Sequence, residues 1–457
     1  MNNRNGKVSF GVLVIFGVII AASLYVYNSS VFERDLPVIS LENNGYWNLK
    51  TPMKVSIQDK SGIKAYKIIF KSQDGDITLN DEKFIDIKTG VETEIVPPRS
   101  AFSIKDEDVK IVIQALDGSR WHFFQGNSAI KEFHLKIDKN RPRLSIISNT
   151  YKITKGGSAL VIFQAGDENL KDIYIETEFK DKKQFKVEPF YKERYYISLI
   201  AWPATEANFK ATIVVTDEAG NNAKSYIPLY LEDKNYKVSN IEITDQFLKG
   251  KIAELAEDFD ETQGVTDSLK QFKIINEDVR LKNEEVIHKI TSEVPTEMIS
   301  DFKINTMYPL KNGKVVAQYG DHRKYSYAGN PLSESYHMGL DFASNAQSEI
   351  KSQNDGEVVF ADFNGIYGNL PILSHGLGLY TLYGHCSSLV VAKGDKVVPG
   401  QNIANTGKTG YAMGDHLHFG VLVQGIEVRP QEWMDAHWIK LNIYDVIKSA
   451  KSTIDKS

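Results

Sequence analysis

The period of the apolar positions changes several times along the chain, and each change marks an element. Phe10 to Tyr27 is an uncharged apolar run, about 27 Å long as a helix and so close to the thickness of bilayer hydrocarbon. Arg4 and Lys7 precede it, which predicts residues 1–9 as a cytoplasmic stub, 10–27 as a transmembrane anchor and everything after it as exported. A retained anchor is read in preference to a cleaved signal. The run exceeds the usual signal core and ends in Tyr25 and Tyr27, and only Ala21 to Ser23 resembles a cleavage region. From 36 to 138, and again from 142 to 232, short alternating stretches separated by turn residues predict two tandem β-sandwiches.

The two stretches parallel one another. Val55 to Asp59 matches Val161 to Ala165, and Val109 to Ala115 with Asp117-Gly118 matches Ala211 to Thr216 with Asp217 to Asn221. They resemble bacterial immunoglobulin-like modules, in which such a turn precedes the last strand. A passive stalk is the reading for both, with wall-synthesis or shape proteins as candidate partners. Trp121, Phe123 and Phe124 are read as core. Residues 234–293 then take a helical period. Thr244 or Asp245 caps one helix, Asp267 caps a second, and Gln263-Gly264 separates them, predicting a helical hairpin. It is either a solvated linker or a wall against the cleft of the following domain. Turn pairs such as Asn312-Gly313, Asp355-Gly356 and Pro399-Gly400 punctuate residues 305–440, predicting an antiparallel β domain. Residues 441–457 are left as a C-terminal tail. The fold class is mainly β.

Composition narrows the chemistry more than the fold. At 457 residues the chain is long enough for about three domains. A net charge of −5 argues against a nucleic-acid partner held by phosphate contacts. One cysteine, Cys386, excludes an internal disulfide.

Seven of the ten histidines lie after residue 320, and they sort by spacing. His416 and His418 are two apart on a predicted strand and so share a face. His337 and Asp341 are four apart, and His385 lies between the two groups. His337, Asp341 and His418 together would offer zinc two nitrogens and one hard oxygen, leaving a fourth position open. Such a site suits hydrolysis of an amide or ester. His385 and His416 would then divide the roles of base and of donor to an oxyanion or leaving amine, with the division left open. His375 is read as structural, His322 and His437 as cleft-lining or solvated, and Cys386 as no nucleophile.

From about Val315 to Asp435 the chain resembles the M23 zinc metallopeptidases, the lysostaphin and LytM-type peptidoglycan endopeptidases. The segments that carry the likeness are His337-Met338-Gly339-Leu340-Asp341, Gly378 to His385, Thr406 to Gly410 and His416-Leu417-His418-Phe419-Gly420. The resemblance implies one zinc per chain held by His337, Asp341 and His418, with His385 and His416 catalytic. It implies cleavage of peptide bonds in peptidoglycan stem peptides or cross-links, while the single anchor, the short stub and the acidic exported part fit a single-pass position in the inner membrane with the bulk of the chain in the periplasm, where a D,D-endopeptidase is the expected class. The rival expectation is a catalytically silent scaffold that activates another wall hydrolase.

Overall fold

The computed structural model describes residues 10–179 and 182–457; the expected stub, residues 1–9, lies outside them. The chain is mainly β. Its first element is the helix Phe10–Asn28, which from Gly11 to Asn28 is long and apolar enough to cross a membrane and buries none of that stretch against protein. Contacts divide the described residues into two units: residues 10–142 with 168–171 and 216–222, and the rest.

In the first unit one six-stranded sheet is organised by the long strand Met53–Ser72. Gly62, at φ +82°, and a register jump between Gln58 and Ala65 bend this strand. Before the bend it pairs with Val38–Leu41, and after it with Asp108–Asp117. The bent sheet encloses Trp47, Ile57, Ile68, Phe70, Ile111 and Ile113. Each such side chain is worth about 1.5–3 kcal/mol when taken from water. Trp121, expected in this core with Phe123 and Phe124, is not in it, and neither are the two phenylalanines. They stand 96% and 66% exposed on a left-handed turn, because the chain leaves the sheet at Asp117 and rejoins it only at Ser128.

The second unit begins with two four-stranded sheets, one of which joins Arg143–Asn149, Ser158–Gly166, Tyr195–Ala201 and Glu188–Pro189. Thr244 then caps a helical run to Asp258, accepting from Phe247 N at 3.2 Å. Asp267 caps a second run, Ser268 to Thr291, accepting from Leu269 N and Lys270 N. Ile275, Val279 and Phe272 from the second run pack with Leu370, Ile372 and Leu382 of the following domain. The helical segment is therefore part of that domain's core and not a solvated linker.

The C-terminal domain is built on an eight-stranded sheet running Lys314–Ala317, Leu340–Ala343, Leu417–Val423, Leu379–Gly384, Asn369–Ser374, Gly356–Phe363 and Lys396–Val397, with Ile426–Val428 beside Leu417–Val423. Leu417–Val423 is buried at every position. Residues 441–457, expected as a tail, carry the helix Asp445–Ile454. Val446, Ile447, Ala450 and Ile454 recur at helical spacing and are buried, which binds this segment to the unit.

Candidate active site

The strand register brings the polar residues of three separate segments together. Leu340–Ala343 and Leu417–Val423 run antiparallel with Asp341 opposite His418, so their side chains leave the same face a few ångströms apart. His337 ends the neighbouring strand Asn330–His337. Its Nε2 lies 2.9 Å from Asp341 Oδ1 and 3.1 Å from His418 Nδ1, and His418 Nδ1 lies 2.9 Å from the same carboxylate oxygen. Gly339 is needed for this approach. A Cβ there would come within 2.7 Å of the His418 ring and of Phe419 O.

The hydrogen bonds behind the cluster decide what the front can do. His337 Nδ1–H donates to Gln318 O at 2.9 Å, so a neutral His337 turns the lone pair of Nε2 toward the carboxylate. Two imidazole nitrogens and a carboxylate oxygen aimed at one point repel one another unless a proton or a cation lies among them. Their separations are within a few tenths of an ångström of the roughly 3.3 Å edge of a tetrahedron with zinc-to-nitrogen bonds of about 2.0–2.1 Å. The nitrogen and hard-oxygen donors are those zinc accepts. These three residues fit such an ion.

His385 and His416 stand beside the cluster, and their other nitrogens are committed. His385 Nδ1–H donates to Thr409 O at 2.9 Å, and His416 Nδ1–H donates to Gly414 O at 2.8 Å. The two rings are 4.8 Å apart between centroids, and His416 Nε2 is 3.8 Å from Asp341 Oδ1. His385 adopts φ +65°, a left-handed conformation unusual for a side chain of this size, and is pinned there by donating its N–H to Tyr367 O at 2.8 Å. Both Nε2 atoms are thereby left to the cleft.

Electrostatics separates the members of the group. Burial by itself would raise the Asp341 carboxyl, but the positive charge and hydrogen bonds that His337 and His418 offer it when they carry a proton outweigh this and hold Asp341 well below its usual range. Burial, with repulsion from the neighbouring histidines, lowers His385 to about 3 and His418 to about 4. Both rings are neutral at physiological pH. A neutral ring is the form that binds metal or accepts a proton.

The cleft holds about 590 Å³ and is lined by the five polar residues together with Ile243, Phe247 and Arg280 of the helical segment. Sequence spacing does not single out Arg323, whose guanidinium reaches Asp321 at 3.7 Å and Asp341 at 3.9 Å. The turn at Ala328-Gly329 is the signal that could have found it, because it folds Asp321–Tyr327 back on the strand that ends in His337. Away from the cleft, His375 is held by Asp355 O and Thr381 Oγ1, and burial lowers it to about 4. His322 stacks on Tyr336 and faces Glu334. Burial pushes the Cys386 thiol up to about 12, which removes the thiolate.

Comparison with known proteins bears on this part of the chain. Residues 335–430 match the profile described as Peptidase family M23. Over 108 residues the chain is 32% identical to the DD-carboxypeptidase/endopeptidase Mpg of Neisseria meningitidis, covering 23% of this chain and 25% of that protein. Over 101 residues it is 38% identical to the peptidoglycan DD-endopeptidase ShyA of Vibrio cholerae, covering 22% and 23%. The murein hydrolase activator EnvC of Escherichia coli is 29% identical over 166 residues, covering 34% and 38%. The matched region thus spans about a quarter of the length of the first two relatives. His337, Asp341, His385, His416 and His418 all lie inside residues 335–430, and that part of the chain is a peptidase family M23 domain.

Proposed function

We propose that this chain is a zinc-dependent endopeptidase that cuts peptide bonds in peptidoglycan, as a D,D-endopeptidase acting on cross-links. The observation that carries the reading is the convergence of four histidines and one aspartate, each oriented by a backbone carbonyl or by another member of the group, on one cleft. His337, Asp341 and His418 would hold the metal, one per chain. Bound there, zinc lowers the pKa of water to about 7 and polarises a carbonyl. His385 and His416 supply the proton traffic. Each has its Nδ1 proton fixed on a carbonyl, so Nε2 is the atom that accepts a proton from water or, once protonated, donates to the leaving amine. The carbonyl partners fix both tautomers before substrate arrives, which limits reorganisation during the reaction.

The names of Mpg and ShyA support peptidoglycan as the substrate, and the name of EnvC supports the second reading, a scaffold that activates another hydrolase. The intact cluster favours the enzyme. The helix Phe10–Asn28 is proposed as a single-pass anchor in the inner membrane, with the β-sandwiches over 36–138 and 142–232 as periplasmic spacers open to wall-synthesis or shape proteins. The helical segment 234–293 and the peptidase domain 305–440 complete the arrangement. Purified sacculi digested with the full chain in detergent provide the test. Loss of cross-links that stops on adding a zinc chelator is expected, whereas unchanged cross-links with and without chelator sink the enzyme reading in favour of the scaffold.

A further inference from the structure

We infer that the turn Trp121–Phe124, together with the bulge Phe84–Ile87, is a second membrane contact that seats the first β unit on the lipid surface beside its anchor. The two features lie at one end of the sheet. Ile63 pairs with Lys88 on one side and with Asp117 on the other, and at this level both neighbours leave the ladder. Lys88 follows the bulge, and Asp117 precedes the turn.

The repeat within the chain shows that the turn is an addition. At Asp217–Asn221 the carboxylate accepts from Asn221 N at 2.7 Å and Asn221 Nδ2 at 2.9 Å, closing the turn over four positions. Asp117 and Asn127 make the same two bonds, both at 2.7 Å, over ten. The six extra residues include Trp121, Phe123 and Phe124. His122, Phe123 and Phe124 take φ of 47°, 56° and 69°. Three successive left-handed residues are strained, and here the strain turns apolar rings outward: Phe123 is 96% exposed. Ile85 and Ile87 are exposed on the bulge, with Ile87 lying against Gly62 and Gly118 at the base of the turn.

The end of the apolar helix identifies what covers this surface. The segment that follows Asn28 is bonded to the base of the turn: Arg120 N–H donates to Val31 O at 2.7 Å, Ser119 Oγ–H donates to Glu33 O at 2.8 Å, and Asn127 Nδ2–H donates to the same oxygen at 3.1 Å. Arg34 links the two parts, its guanidinium 5.0 Å from the Tyr27 ring and 4.4 Å from the Trp121 ring. Phe32 meets Phe124 edge-on at 6.5 Å. The exposed aromatics are thus fixed to the residues that leave the end of the anchor. Tryptophan and other aromatic side chains with a neighbouring arginine favour the interface between headgroups and hydrocarbon. The occupant is the lipid surface.

This inference rests on the reading of Phe10–Asn28 as an anchor, and one experiment separates the two. The single native thiol, Cys386, is buried, so a nitroxide label attaches at an introduced cysteine alone. Full-length Phe123→Cys, Phe102→Cys and Val18→Cys chains are reconstituted in vesicles of phosphatidylethanolamine and phosphatidylglycerol. Collision of each label with oxygen and with a water-soluble nickel chelate is then measured. Phe102 is also exposed, at 92%, but lies before the opposite end of the strand Asp108–Asp117, roughly 33 Å long. The inference predicts that label 123 collides severalfold less with the chelate than label 102, and more with oxygen. Equal collision rates at 123 and 102, with label 18 in lipid, overturn it and leave the anchor standing. Label 18 open to the chelate overturns both. Shielding of label 123 in native envelopes but not in lipid vesicles also overturns it, because it would show a protein partner.

Discussion

Two buried carboxyl groups in the second unit, Asp341 and Glu188, have opposite fates. Asp341 sits against His337 and His418 and, although burial acts to raise it, is held by them well below the usual carboxylate range. Glu188 is 1% exposed, has no hydrogen-bond partner on Oε1 among the described residues, and is pushed by burial up to about 8. Burial penalises a carboxylate in both places. The difference is whether nitrogen donors converge on it. Where they do, the carboxyl is pulled toward its charged form; where they do not, burial favours the protonated acid.

The comparison breaks most visibly if a histidine beside Asp341 is removed. His418→Ala is expected to abolish zinc retention and hydrolysis together. His416→Ala, whose ring lies 3.8 Å from the carboxylate, is expected to keep zinc and lose roughly 10²–10⁴-fold in turnover. Metal content by mass spectrometry checks both, and equal loss of zinc in the two variants would show the roles misassigned.

A smaller effect is expected where the cluster is disturbed and not dismantled. Gly339→Ala places a Cβ within 2.7 Å of the His418 ring and of Phe419 O. Phe419 O belongs to a buried strand and cannot yield easily, so a loss of about 1–3 kcal/mol is expected in denaturant unfolding. Zinc affinity should weaken with it. Full stability and full affinity would mean that the approach of His418 to this glycine is not required.

The smallest effect concerns Glu188 and is a slope. Its proton is held more tightly in the folded chain than in the unfolded one. Its contribution to stability is therefore complete below the ordinary value of 4.5 and is lost as pH rises toward about 8. Glu188→Gln carries no proton to lose. Its Tm should match that of the parent chain near pH 5 and exceed it by at least about 2–4 °C near pH 8. A constant difference across that range would mean that Glu188 is ionised in the fold.

Much of the site was legible because its residue types are rare and their spacings are geometric. His416 and His418, two apart, mark a shared face before any pairing is known, whereas His337 and Asp341, four apart, lie on two successive strands and meet across the turn at Met338-Gly339. The helix cap Asp267 was equally visible, since capping is a local bond, while the first cap stood open between Thr244 and Asp245 until the structure placed it at Thr244. Arg323 was not visible, because its value depends on a hairpin pairing that places it beside Asp341. Phe123 and Phe124 were misread as core for a related reason: an apolar side chain in a strand-rich stretch looks buried until the chain is seen to leave the sheet at Asp117.

By itself, then, the sequence determined the mainly β class, the apolar helix, the residue types of the candidate metal set and the two-position spacing of His416 and His418. Those are properties of composition and short period, which survive without a partner. The tertiary structure decided the rest. The register opposing Asp341 to His418, the carbonyls of Gln318, Thr409 and Gly414 that fix three tautomers, and the helical wall of the cleft all come from segments distant in the chain. Hydrogen bonding and burial join such segments only after folding, and these contacts set the charge on each group.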